Sequence, residues 1–196
     1  MTAAGLRILL EGRSDRAAVE AFVARRGLDL DTAGAAVVLM GGAGGAYRAV
    51  ADALAAGAHV CGLYDVGELG FVSRALVRHG LATTGDRAEL AALGFHACER
   101  DLEDELIRAL GVEAALGVVE REGDLGRFRT FSGQPEWRDR ALVDRLHRFC
   151  GTTSGRKERY GRALAAATAS EPPPIAALLD GMAPREERAC RHAGRS

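Results

Sequence analysis

Apolar residues along this chain come in two kinds of pattern, short unbroken runs and longer stretches with helical spacing. Residues 6–10 (LRILL), 35–40 (AAVVLM) and 59–64 (HVCGLY) are continuous runs of strand length, and Gly94–Cys98 is a fourth candidate strand. Between the runs, apolar positions recur three and four residues apart. Ala18, Val19, Phe22 and Val23 mark a helix opened by Ser14-Asp15 and running through Arg26, with Ser14 as its N-cap. Further helices are predicted near Tyr47–Ala56, over about 68–79 and near 86–92. The order β-α-β-α-β-α-β with short apolar strands predicts an α/β fold, a Rossmann-like, mainly parallel sheet of about four strands covered on both faces.

From Asp101 onward the pattern is helical. Asp101–Leu110 and Val112–Arg121 are split by Gly111, and residues 126–135 read as irregular. Pro135–Phe149 reads as one amphipathic, basic helix, followed by a polar loop at Gly151–Gly155 and a helix over Gly155–Ala169. Three prolines at 172–174 predict a break before a last short helix. The chain divides on this reading into an α/β core (1–122), a basic helical extension that completes the domain (123–183) and a loose Arg-rich tail (184–196). No internal repeat is visible.

Composition agrees with a globular chain. Of 196 residues, 47% are hydrophobic and 27% charged, and only 5% are aromatic, so Ala, Leu and Val must build the core. That favours helices on a sheet over an aromatic-rich sandwich. No stretch approaches the roughly 20 apolar residues that span a bilayer, and the N-terminal apolar run ends at Glu11 without a signal-peptide pattern. Cys61, Cys98, Cys150 and Cys190 are far apart and form no CxxC pair, so neither a zinc site nor a disulfide framework is predicted. Reduced, buried thiols in a cytoplasmic protein are expected.

The net charge of −1 conceals a division. Residues 1–120 hold 11 Arg and 17 acidic residues, whereas residues 121–196 hold 15 basic and 10 acidic ones. An acidic front half suits cations, and a basic back half suits a polyanion. Lys157 is the one lysine among 26 basic residues, a choice that matters where a compact ammonium is needed.

Candidate chemistry lies where strands end. Open parallel sheets bind ligands beyond the carboxyl ends of their strands, and Glu11, the glycine cluster Gly41–Gly45, Asp65 and the segment after Cys98 all fall there. In Glu11-Gly12-Arg13-Ser14-Asp15 a glycine turn separates two carboxylates that can face one cavity. Asp65 closes the third strand, and Glu68 follows it. Hard cations such as Mg²⁺ take carboxylate oxygens and keep several waters, so two or three such groups suffice. The glycine cluster can approach a phosphate closely but lacks the Gly-Lys-Ser/Thr ending of a P-loop. In Asp101-Leu102-Glu103-Asp104-Glu105 the competing reading is an acidic helix start that matches the dipole. The five histidines show no ligand spacing, and His96 reads as core.

These motifs, LLEGRSDRAAVEAF, GLYDVGE, CERDLEDELIRAL, FRTF…QPEW and SGRKERYGRAL, together resemble the TOPRIM domain of the overcoming-lysogenization-defect (OLD) family of nucleases, over about residues 5–170. The resemblance is closer to stand-alone OLD-like TOPRIM proteins. It implies a Rossmann-like TOPRIM domain that binds one or two Mg²⁺ or Mn²⁺ ions and acts on DNA phosphodiesters. By position it implies metal ligation by Glu11, Asp15 and Asp65, a second-ion role for Glu103, and a catalytic role for Glu11 and for Lys157. The second aspartate of the family's Asp-x-Asp is Gly67 here, with Glu68 as the neighbouring substitute. Arg138, Arg145 and Arg156 are the expected nucleic-acid contacts on the basic region. Full-length OLD nucleases carry an ATPase domain that has no counterpart in these motifs, which leaves room for a separate ATPase partner. Two other readings stay open: a non-catalytic module that binds an ATPase or nucleic acid, and nucleotidyl transfer on a small phosphate ester.

Overall fold

The computed structural model describes residues 5–152 and 154–182. The apolar runs form β1 (Leu6–Leu10), β2 (Ala35–Leu39), β3 (His59–Asp65) and β4 (Phe95–Cys98). Among the described residues they make one parallel sheet in the order β2-β1-β3-β4. Parallel strands must be joined by crossovers. Here these are α1 (Arg13–Arg25), then α2 (Ala46–Ala55), then α3 (Leu69–Arg78) with α4 (Arg87–Ala92).

Side chains of successive strand residues leave opposite faces of the sheet, and each face has its own core. Ile8, Leu10, Cys61, Leu63 and Cys98 pack on α1 and on the helices that follow β4. Those helices are α5 (Leu102–Leu110), α6 (Val112–Arg121), α7 (Leu125–Ser132), α8 (Leu142–Cys150), α9 (Ser154–Ala167) and α10 (Pro173–Met182). Leu9, Tyr64 and Phe95 pack on Val50, Val72, Leu76 and Leu90 from α2, α3 and α4. Each such large side chain removed from water contributes about 1.5–3 kcal/mol. Phe22 of α1, Phe149 of α8 and Tyr160 of α9 share the first core, so the helices after residue 122 close over the same face as α1.

Four local readings need correction. Residues 126–135 are largely helical, because Phe128 and Phe131 of α7 both pack on Phe149, with ring centroids 5.3 and 5.8 Å apart. That tertiary gain outweighs the weak helix propensity of Gly126, Thr130 and Ser132. The helix expected over Pro135–Phe149 begins only at Leu142. Trp137 packs on Phe131 at 5.1 Å, and the segment before α8 is held in turns by Trp137 N–H to Gln134 O (2.9 Å) and Arg140 N–H to Trp137 O (3.0 Å). Ser14 is a buried residue inside α1, whose N-cap is Gly12. Pro173 and Pro174 sit in the first turn of α10, where N–H groups have no partner within the helix to lose.

Cys61, Cys98 and Cys150 are buried free thiols. Cys190 and the Arg-rich tail lie outside the described residues. Among those residues, no helix is long and apolar enough to cross a membrane.

Candidate metal centre

The strand order fixes where a site can form. The chain goes from β1 outward to β2, then returns to β3 on the other side of β1. The crossovers diverge at that point, and a crevice opens beyond the carboxyl ends of β1 and β3. Glu11 directly follows β1, and Asp65 is the last residue of β3. Glu68 ends a one-turn 3-10 helix, Val66–Glu68. One carboxylate oxygen from each of Glu11, Asp65 and Glu68 lies within 4.8 Å of the other two.

The 3-10 turn explains why Glu68 belongs to this cluster. With three residues per turn, side chains at i and i+3 eclipse, which brings residue 68 back over residue 65. In an extended strand end, residue 67 would share the side of residue 65. Gly67 is exposed in the turn, and a β-carbon there would meet nothing within 4 Å.

The glycine cluster has a different task from the one its sequence suggested. The N–H groups of Gly41 and Gly42 donate to the Glu11 carbonyl, at 3.1 and 3.3 Å, so these donors fasten the end of β1. Both glycines have positive φ, 70° and 104°, which a residue with a β-carbon rarely adopts.

Asp15 sits in the first turn of α1, where its Oδ2 accepts the Gly12 N–H at 3.0 Å. Glu11, Asp15 and Lys157 line a cleft of about 200 Å³ together with Gly12, Arg13 and Ser14. Lys157 comes from α9, which crosses α1 closely. A β-carbon on Gly161 would lie 2.7 Å from the Ser14 carbonyl oxygen. Lys157 Nζ lies 3.4 Å from Oε2 of Glu103. Beyond Lys157, the buried Glu103 carboxylate has no hydrogen-bond partner among the described residues. Asp101 caps α5 by accepting the Asp104 N–H at 2.9 Å, and its other oxygen meets His147 Nε2 at 2.6 Å.

The electrostatics follow from crowding acids in a partly dry crevice. Burial, reinforced by Glu11, Asp101, Asp15 and Glu68, pushes the Asp65 carboxyl up to about 8. Glu68 is raised by burial and then by Glu11. Burial also raises Asp15, against the pull of Lys157. Glu103 is pushed up to about 7 by burial, again opposed by Lys157. Burial disfavours the Lys157 ammonium, yet Glu103, Asp15 and Asp101 outweigh it and hold the amine above its usual range. At Asp101, burial is outweighed by the hydrogen bonds with His147 and the Asp104 N–H together with the charges of His147 and Lys157, which hold its carboxyl low. The cleft therefore joins a fixed cation to acids that resist ionising together. The clustered carboxylates of Glu11, Asp65 and Glu68 suit a divalent ion, whose charge would relieve their mutual repulsion.

Of the residues singled out in the sequence, Glu11, Asp65 and Glu68 come together, and Asp15 and Lys157 line the adjoining cleft. Glu103 is buried beside Lys157 and is not part of the three-carboxylate cluster. Arg138 is exposed and pairs with Asp139 at 3.4 Å. Arg145 is half-buried on α8, and the Arg156 guanidinium stacks over Phe149 at 4.4 Å. Sequence reading missed the Asp101–His147 pair, since nothing local links residues 46 positions apart. It also missed Gly161, whose role appears only when α9 meets α1.

Fold and cluster together define an α/β domain with an acidic, cation-suited crevice at the switch point of a parallel sheet. Solved structures share that fold. The C-terminal region of the Xanthomonas campestris pv. campestris OLD protein superimposes with a TM-score of 0.63 at 24% identity, over 98% of this chain and 100% of that one. The C-terminal region of the Burkholderia pseudomallei OLD protein gives 0.60 at 22% identity, over 91% and 96%. The chain thus has the fold of OLD C-terminal regions, the TOPRIM-like α/β fold that its motifs implied. No protein-family model matches it, and no curated protein matches it in sequence.

Proposed function

We propose that the protein hydrolyses phosphodiesters in DNA with the help of a divalent cation, Mg²⁺ or Mn²⁺. The observation that carries this reading is the convergence of Glu11, Asp65 and Glu68 oxygens within 4.8 Å at the switch point. Its support is a cationic lysine in the adjoining cleft and the fold shared with OLD C-terminal regions. Glu11, Asp65 and Glu68 would hold the ion. A bound divalent cation polarises a phosphoryl oxygen and makes water acidic enough to attack at neutral pH. Lys157, kept protonated by Glu103, Asp15 and Asp101, places a fixed positive charge in the cleft where charge builds on a phosphate in the transition state. Asp15 stays bound to the Gly12 N–H and fixes the turn that follows Glu11.

Purified protein with Mn²⁺ is expected to nick supercoiled plasmid, and Glu11→Ala or Asp65→Ala to abolish nicking. Equal cleavage by wild type and both variants would reveal a contaminating nuclease and defeat the proposal. Mn²⁺ binding without cleavage of DNA, but with turnover of nucleotides, would move the assignment to small phosphate esters.

A further inference from the structure

Large apolar side chains are seldom left in water without a reason when they gather on one surface. Among the described residues, those most exposed are Tyr47 (48%), Phe71 (50%) and Val77 (38%). All three lie on α2 and α3, which pack against each other. Each aromatic ring carries an arginine: Arg74 lies 5.1 Å from the centroid of Phe71, and Arg78 lies 5.3 Å from that of Tyr47. His79 adds a ring against Tyr47, with centroids 4.5 Å apart. Arg74 and Arg78 have no carboxylate partner among the described residues, and both are exposed.

Two further facts tie this surface to the crevice. Glu68 immediately precedes α3, so Phe71 lies about one helical turn, roughly 5 Å along the axis, beyond a cluster carboxylate. The chain also segregates its charges here. Residues 69–85 contain no Asp or Glu at all, yet supply Arg74 and Arg78. The acids of the cluster sit at the strand ends, whereas α3 carries no acid and α2 carries one, Asp52, which pairs with Arg48 at 3.7 Å.

We propose that the α2–α3 surface is a stacking platform for unpaired nucleotides of a strand leading to the crevice. Bases would stack on Phe71 and Tyr47, and Arg74 and Arg78 would meet the phosphates between them. Aromatic rings interleaved with arginines are how proteins hold single strands without reading sequence, because every base has a π-face. A duplex, whose bases are already stacked on each other, has no such use for the rings. This inference rests on the phosphodiester reading for its direction but assigns a separate site and a substrate class, single-stranded DNA or a frayed end.

The test is fluorescence anisotropy with labelled single-stranded and blunt duplex DNA, in chelator so that no cleavage occurs. Tyr47→Ala/Phe71→Ala is expected to weaken single-strand binding about tenfold or more, with a smaller effect on duplex. Phe71→Trp, which keeps the π-face, is expected to retain affinity. Far-UV circular dichroism confirms folding of each variant, as the replaced side chains are surface groups. Unchanged single-strand affinity in the double variant would overturn the proposal. So would a change of oligomeric state with DNA affinity unchanged, which would make the surface a contact between copies of this chain. Loss of binding in the double variant, together with failure of wild type to nick plasmid in Mn²⁺, would leave the platform standing and remove only the nuclease.

Discussion

Asp65 shows at the scale of one residue what the crevice costs the metal-free protein. An ordinary aspartate titrates near 3.9 in the unfolded chain, whereas burial and four neighbouring acids push Asp65 up to about 8 in the fold. Between those values the folded state holds a proton that the unfolded chain has lost. Stability then falls as pH rises, from no penalty below about pH 4 to the full penalty above about pH 8. A bound divalent cation replaces the proton and removes the penalty. The thermal midpoint of metal-free protein is therefore expected to drop between pH 5 and 8, and Mn²⁺ to raise it more at pH 8 than at pH 5. A stabilisation by Mn²⁺ that does not grow with pH would contradict this. Lys157 gives a second test at this scale. Lys157→Met is expected to reduce cleavage by about 100-fold or more while Mn²⁺ still binds, and Lys157→Arg to restore little, because a planar guanidinium cannot replace a compact ammonium. Glu11 and Asp65 were legible in the sequence because a charge that closes an apolar run stands out. Glu68 was legible only as a neighbour, since its place depends on whether the chain after β3 stays extended or tightens into a 3-10 turn.

Elements deliver these residues to one place, and the contact of α1 with α9 is the most exacting delivery. Gly161 lies one turn beyond Lys157, and Ser14 lies next to Asp15, so the spacing of the two helices sets how Lys157 reaches the acids. A β-carbon at Gly161 would come to 2.7 Å from a backbone oxygen, which a side chain cannot avoid by rotating. Gly161→Val is expected to cost about 1–3 kcal/mol of stability and to lower cleavage although no charged group is altered. Full activity in a folded Gly161→Val protein, measured beside its thermal midpoint, would show that the close crossing does not position Lys157. The repeating helix and strand patterns placed every strand and most helices within a residue or two. They failed over 126–141, where Phe128, Phe131 and Trp137 decide the path of the chain by packing across to Phe149 and to one another, an interaction that local periodicity does not contain.

At the scale of the molecule, one apolar core runs from Ile8 and Phe22 through Leu106 to Phe149, Tyr160 and Leu179. The basic second half of the chain is thus laid over the acidic first half. The single Trp137 reports on the helical extension through its packing on Phe131, while far-UV circular dichroism reports on all elements. Their thermal transitions are expected to coincide, as for one cooperative unit, and separate transitions would mean that the extension unfolds on its own. The sequence showed an α/β chain with an acidic face at its strand ends, but the order β2-β1-β3-β4, which makes the gap between β1 and β3 the site, emerges only from pairing. We propose that Glu11, Asp65 and Glu68 act as one cation site. Calorimetric titration of Mn²⁺ into wild type and Glu68→Ala is the deciding measurement. The variant is expected to lose at least about tenfold in affinity, since even removing a group that only supports a ligand costs about that much. Undiminished Mn²⁺ affinity in a folded Glu68→Ala protein would contradict it.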